Sequence, residues 1–99
     1  YNISMDKKEA PCPVEKVARI FSDTWTMLII RDLMKKPMRY NELHESLGTI
    51  STRTLALKLK NLEAIKRVKK KDMHYYALTP TGKKLDAILQ VMSACGKDL

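Results

Sequence analysis

Apolar residues recur along this chain at helical spacing, in blocks separated by a few well-placed breakers. Val14, Val17, Ala18 and Phe21 fall at i, i+3, i+4 and i+7, which predicts an amphipathic helix. Cys12-Pro13 opens it, because proline is pre-set in φ and lacks an N–H that the first helical turn would leave unpaired. Residues 1–11 are polar, end at Pro11 and predict a loose lead-in. Asp23 is a suitable cap for a second helix with Trp25, Leu28, Ile29 and Leu33 on its buried face, broadened by Ile30 and Met34. A helix this apolar belongs in the core, Trp25 included, and Pro37 stops it. Asn41 then caps a short third helix with Leu43 and Leu47 one turn apart, and Gly48 follows where a left-handed residue ends a helix. Ile50 tucks inward. Ser51 caps a fourth helix, 51–64, with Leu55, Leu59 and Leu62 as its apolar stripe. Thr54, Lys58 and Asn61 are expected on the opposite face, with Leu57 as an apolar exception.

From Arg67 the period changes. Val68 stands among lysines and arginine, and Met73-His74-Tyr75-Tyr76-Ala77-Leu78 is rich in strand-favouring residues. Two short strands over 67–78 with a turn near Lys71-Asp72 are expected, although that turn lacks Gly or Asn. Thr79-Pro80 begins a last helix, with Leu85, Ile88, Leu89, Met92 and Cys95 on one face and Ala87, Val91 and Ala94 on a second.

Charge changes the picture most. The 99 residues hold 19 Lys and Arg against 11 Asp and Glu, a net charge of +8. The stretch 51–75 alone has eight basic and two acidic residues. One concentrated basic segment is the footprint of a polyanion binder. The third and fourth helices with the Gly48 turn make a helix-turn-helix unit, and the basic quarter falls on its second helix and the hairpin after it. In such a unit the second helix enters the DNA major groove with its N-terminal residues at base edges. Here those positions are Ser51, Thr52, Arg53 and Thr54, with Lys58 a turn later. Arginine matches guanine's two acceptors. Lys69, Lys70 and Lys71 of the hairpin, and Arg39 at the start of the third helix, are expected on phosphates. The expected fold is therefore mainly α with a small β-hairpin wing, a winged helix-turn-helix over 12–99 as a single domain.

The sequence resembles the HxlR family of winged helix-turn-helix regulators over about residues 12–96. The resemblance rests on Cys12-Pro13-Val14-Glu15, on Trp25 with Leu28-Ile29-Ile30-Arg31-Asp32-Leu33, and on Arg39-Tyr40-Asn41-Glu42-Leu43. It continues through Ile50-Ser51-Thr52-Arg53-Thr54-Leu55, Leu59-Lys60-Asn61-Leu62-Glu63 and the block Tyr76 to Leu85. It implies a dimeric DNA-binding transcriptional regulator, with 51–64 as recognition helix, 67–78 as wing, and pairing through helices added at both ends. Three departures stand out. Ser22-Asp23-Thr24 replaces the usual Gly-Gly-Lys, the glycine expected after the recognition helix is replaced around Lys66, and the wing is several residues short. A differently shaped helix end and backbone contact by the wing lysines, rather than minor-groove reach, follow as expectations.

The last helix is apolar on two faces, and a domain of this size covers one of them. Ala87, Val91 and Ala94, with Val14 and Val17, are therefore expected at a homodimer interface. A two-fold dimer would read a pseudo-palindromic operator in double-stranded DNA. A thiol at a helix start, as at Cys12, is stabilised as thiolate, and the resemblance implies that some members sense oxidants through a cysteine at this place. Two cysteines are too few for a disulfide framework and suit a reduced, cytoplasmic chain. No window approaches the ~20 consecutive apolar residues of a spanning helix, no secretory leader opens the sequence, and no membrane partner is expected. His44, His74, Cys12 and Cys95 fit no compact zinc spacing, and no phosphate loop or nucleophile–base pair stands out. Neither metal, cofactor nor enzymatic activity is expected. The rival reading is a winged-helix interaction module whose basic face docks an acidic partner.

Overall fold

The computed structural model describes residues 12–72 and 74–99. The expected lead-in over 1–11 and Met73 lie outside the described residues. Pro13 takes the first position of α1 (Pro13–Ile20), with Cys12 as the capping residue, as the sequence predicts. Asp23 caps α2 (Thr24–Lys35) by accepting from the Thr26 backbone N–H at 3.0 Å and its hydroxyl at 2.8 Å. Past Pro37 the chain forms β1 (Met38–Arg39), which the hydrophobic pattern does not reveal because it is two residues long. α3 (Tyr40–Leu47) starts directly from it. Asn41 is thus inside the helix and not its cap. The Glu42 carboxylate reaches back to accept from the Arg39 backbone N–H at 2.9 Å, and that bond sets the helix start. α4 (Thr52–Ala64) follows, then β2 (Val68–Lys70), β3 (Tyr75–Leu78), α5 (Pro80–Lys83) and α6 (Asp86–Gly96).

The wing is a three-stranded antiparallel sheet in the order β1-β3-β2, where a two-stranded hairpin was expected. Met38 lies opposite Tyr76, and Val68 opposite Leu78. The hairpin closes without Gly or Asn because the Asp72 carboxylate accepts from the His74 and Tyr75 backbone N–H groups at 2.8 and 3.2 Å. An aspartate side chain here supplies the turn's acceptor. The single last helix divides at Lys84-Leu85 into α5 and α6.

The core lies where α2, α3 and α4 meet the sheet. Ile29, Ile30, Leu43, Leu55, Leu59 and Leu62 are fully buried in it. Trp25 is half-buried, packed on the core rather than inside it. Asp32 is the one buried charge among the described residues, 2% exposed, and no apolar pattern marks it. Its carboxylate accepts from the Ser46 hydroxyl at 2.7 Å and from Arg31 Nε at 3.1 Å, which ties α3 to α2.

The end of α4 answers the departure at Lys66. Arg67 N–H donates to the Leu62 carbonyl and Lys66 N–H to the Glu63 carbonyl, both at 3.0 Å. That bond pair closes a helix through a left-handed residue, and Lys66 adopts φ +58 to provide it. The left-handed turn forms without glycine, at a steric cost of about 1–2 kcal/mol, against which glycine's extra chain entropy sets about 0.5–1 kcal/mol. Lys66→Gly is accordingly expected to stabilise the fold by roughly 0.5–1 kcal/mol. A urea titration reads this, and a midpoint unchanged or lowered would contradict it.

Candidate nucleic-acid interface

Gly48 ends α3 at φ +74, so the turn into α4 uses the freedom only glycine has without strain. Ile50 is buried beneath that turn. The Ser51 side chain accepts from the Thr54 backbone N–H at 3.1 Å and donates to the Thr54 hydroxyl at 2.9 Å. The Tyr40 hydroxyl donates to the Thr52 carbonyl at 2.6 Å. The first turn of α4 is thus braced by its own cap and by the start of α3. A recognition element must be held in this way if side chains are to meet base edges in fixed geometry.

The faces of α4 differ from the sequence expectation. With Leu55, Leu59 and Leu62 inward, Arg53, Leu57 and Lys60 lie opposite them and are exposed, Leu57 to 52%. Thr54 and Lys58 stand at the side of the helix. Lys58 is only 24% exposed, and its ammonium pairs with Asp23 at 3.3 Å. It therefore links α4 to the start of α2 and does not point outward with Arg53. Ser51 and Thr54 are engaged in the cap, and the Thr52 and Arg53 side chains of that turn have no hydrogen-bond partner among the described residues. Leu57 is outward as the sequence suggests, whereas Lys60 was missed as an outward residue. Counting 100° per residue from the leucine stripe finds it.

Asp23 has a double role. Burial works against its charge, but the Thr26 hydroxyl and amide and the Lys58 ammonium outweigh that and hold its carboxyl below the ordinary aspartate value. A carboxylate with a depressed pKa in the fold contributes stability above its unfolded pKa of about 3.9, and this is lost as pH falls through the folded value. Asp23→Ala should cost about 0.5–2 kcal/mol at neutral pH. The gap between variant and parent should close as the pH of the urea titration is taken below about 4. A gap independent of pH would assign the loss to packing.

The wing lysines divide between the two faces of the sheet, since successive residues of a strand point to opposite sides. Lys70 lies opposite Tyr76, its ammonium 5.8 Å from that ring, and Arg39 stacks 5.0 Å from the Tyr75 ring. With Tyr40, Asn41 and His74 they enclose one shallow basic hollow, which the Tyr40–Thr52 bond joins to the start of α4. Lys69 and Lys71 open instead onto a separate cleft beside Ala77. Of the four residues expected on phosphates, Lys70 and Arg39 thus share one hollow, and Lys69 and Lys71 line another cleft.

α1 and α6 leave apolar surface uncovered. Val14 is 65% and Val91 62% exposed. Pro13, Val14, Val17, Ala18 and Ile88 line one almost wholly apolar groove, and Ala87 and Ala94 are exposed nearby. The domain covers less of α6 than expected. Leu85 is buried and Leu89 half-buried, while Ile88, Met92 and Cys95 are exposed, because the core reaches only the first turn of the helix. Cys12 is half-buried at the head of α1. His44 and His74 lie on α3 and in the wing turn, and among the described residues no His, Cys, Asp and Glu gather as a metal site. No helix among the described residues is long and apolar enough to cross a membrane.

A helix-turn-helix whose second helix turns basic side chains outward, followed by an antiparallel wing, defines a winged helix-turn-helix transcriptional regulator. The chain belongs to the HxlR-like helix-turn-helix family, whose model matches residues 20–99. It is 34% identical over 90 residues to the HTH-type transcriptional regulator YodB of Bacillus subtilis, spanning 84% of this chain and 80% of that protein. It is 30% identical over 94 residues to an HTH-type transcriptional regulator of Synechocystis, spanning 88% of this chain and 69% of that one. The crystal structure of quinone-bound YodB superimposes with a TM-score of 0.78 at 35% identity, over 89% of this chain and 99% of that one. The redox regulator HypR in its reduced form gives 0.81 at 26% identity, over 88% and 92%.

Proposed function

We propose that this chain is a cytoplasmic homodimeric regulator that binds a pseudo-palindromic site in double-stranded DNA, with α4 in the major groove. The observation that carries the reading is the outward face of α4, where Arg53, Leu57 and Lys60 stand clear of the core on a helix whose first turn is braced by Ser51 and Tyr40. Arg53 and Thr52 meet base edges, Leu57 meets a thymine methyl, and Lys60 a phosphate. Ser51 and Thr54 shape the helix start, and Arg39 and Lys70 hold the flanking backbone. The bare apolar surface of α1 and α6, with Val14, Val17, Ala87, Val91 and Ala94, supports pairing of two copies. Two such helices would sit about 34 Å apart, one turn of DNA.

The test is selection from random duplex DNA, then affinity for the winner and a scrambled duplex across a salt series, alongside sedimentation of the free protein. A dyad-symmetric winner bound about a thousandfold or more above scramble is expected, with a dimeric mass. Equal, salt-sensitive binding to both would leave a merely basic surface and favour the acidic-partner reading.

Cys12 is proposed as the thiol through which oxidants act on this regulator. Its place at the head of α1 supports the reading, and HypR is described as a redox regulator. Duplex affinity should change after diamide in the parent and not in Cys12→Ser. An unchanged parent would exclude the role.

A further inference from the structure

The cleft behind the wing carries chemistry that DNA reading leaves unused. Lys35 and Lys36 from the end of α2, Lys69 and Lys71 from β2 and its turn, and Lys83 from α5 converge on one cavity of about 320 Å³. Lys36 is 4.0 Å from Glu42, and the other four lysines have no carboxylate partner among the described residues. Like charges drawn together from three elements repel, and among the described residues only Glu42, beside Lys36, offsets any of them. The floor is of opposite character. Leu33, Ala77 and Leu78 are buried there, and Met34 and Pro37 are half-buried beside them. Of the strand residues that line it, Lys69 and Ala77 lie on the face of the sheet away from Lys70 and Tyr76.

A convex array of lysines suits a DNA backbone, whereas a concave cationic rim over an apolar floor suits a small molecule. A volume at the low end of the roughly 300–1,000 Å³ of ligand pockets agrees. We infer that this cleft binds a small organic anion with an apolar body, such as a medium-chain carboxylate, its head among Lys69, Lys71 and Lys83 and its chain on Leu33 and Ala77. Occupation would neutralise charge on the strand that carries Lys70, and so weaken the wing's attraction for phosphate. This regulatory half rests on the proposed DNA binding; the binding half does not.

The experiment is an amide NMR titration of the full chain with octanoate, its uncharged twin octanamide, and inorganic phosphate. Octanoate is expected to shift the amides of Leu33, Ala77, Leu78 and Lys83 and to bind at least tenfold tighter than either control. The double variant Lys69→Gln/Lys83→Gln should lose that preference with its remaining spectrum intact, while Lys97→Gln, which removes a distant lysine, should keep it. Octanamide binding equally well would overturn the anion requirement, and phosphate binding equally well would overturn the apolar one. Shifts confined to Val14, Val17 and Ile88 would place octanoate on the α1–α6 groove and overturn the site. In a second arm, octanoate should weaken duplex binding by the parent and not by the double variant. Unchanged duplex affinity with the cleft occupied would overturn the regulatory half alone, and a chain that binds no duplex would instead defeat the proposed function.

Discussion

Arg53→Ala is expected to cost about 1–3 kcal/mol of binding at the selected site and to relax the preference for one base pair there. The reason is geometric. Arg53 leaves the first turn of α4 on the side opposite Leu55 and Leu59, with no hydrogen-bond or ion-pair partner among the described residues, so its guanidinium is available as a fork for guanine. Lys70→Ala should behave differently. Its ammonium stands over Tyr76 as a point charge, and its loss should weaken all duplexes about equally and flatten the salt slope by about one unit. Lys58→Ala provides a third pattern. That lysine is paired with Asp23, so stability should fall with little change in base preference. Titrations of the three variants against the selected and scrambled duplexes separate these outcomes. Arg53 and Lys70 exchanging profiles would overturn the assignment of α4 as reader and the wing as clamp.

Gly82→Ala is expected to destabilise the protein by more than about 2 kcal/mol. The effect runs against propensity, since replacing a helical glycine with alanine ordinarily gains about 0.5–1 kcal/mol. Gly82 is buried, and a Cβ there would collide with the Arg67 carbonyl oxygen. That carbonyl cannot move freely because it accepts from the Thr79 backbone N–H at 3.0 Å. The Thr79 hydroxyl in turn donates to the Lys66 carbonyl at 2.7 Å and accepts from the Gly82 N–H at 3.0 Å. The collision thus falls on the joint that fastens the end of α4 to the wing and to α5. For a domain of this size each kcal/mol moves the thermal midpoint by about 4–8 °C, so a drop well beyond 8 °C is expected. Gly96→Ala, at the end of α6 where an added Cβ meets nothing within 4 Å, is the control and should hold or raise the midpoint, not lower it. A Gly82→Ala protein as stable as its parent would show that the joint yields.

Much of this molecule is legible in the sequence because the forces concerned act over a few residues. The caps at Asp23, Ser51 and Thr79 each satisfy an N–H three residues on, so residue type and spacing suffice to locate them. The stripe Leu55, Leu59 and Leu62 lies on one side of α4 because the helix repeat puts it there, and burial follows. The concentration of positive charge over 51–75 is likewise a property of the chain alone. Packing between distant segments decided the rest. Lys58 became a strut because α4 crosses the start of α2, where a carboxylate awaits it. β1 exists because Met38 and Arg39 come to lie along β3, and two residues carry no pattern of their own. Asp32 is buried because Ser46 of another helix completes its hydrogen bonds. Sheet alternation sent Lys69 and Lys71 away from Lys70, and only the placement of α2 and α5 gathered Lys35, Lys36 and Lys83 around them. Caps and stripes are settled by the few residues on either side, whereas salt bridges, strand partners and clefts are settled by which surfaces the assembled core brings face to face.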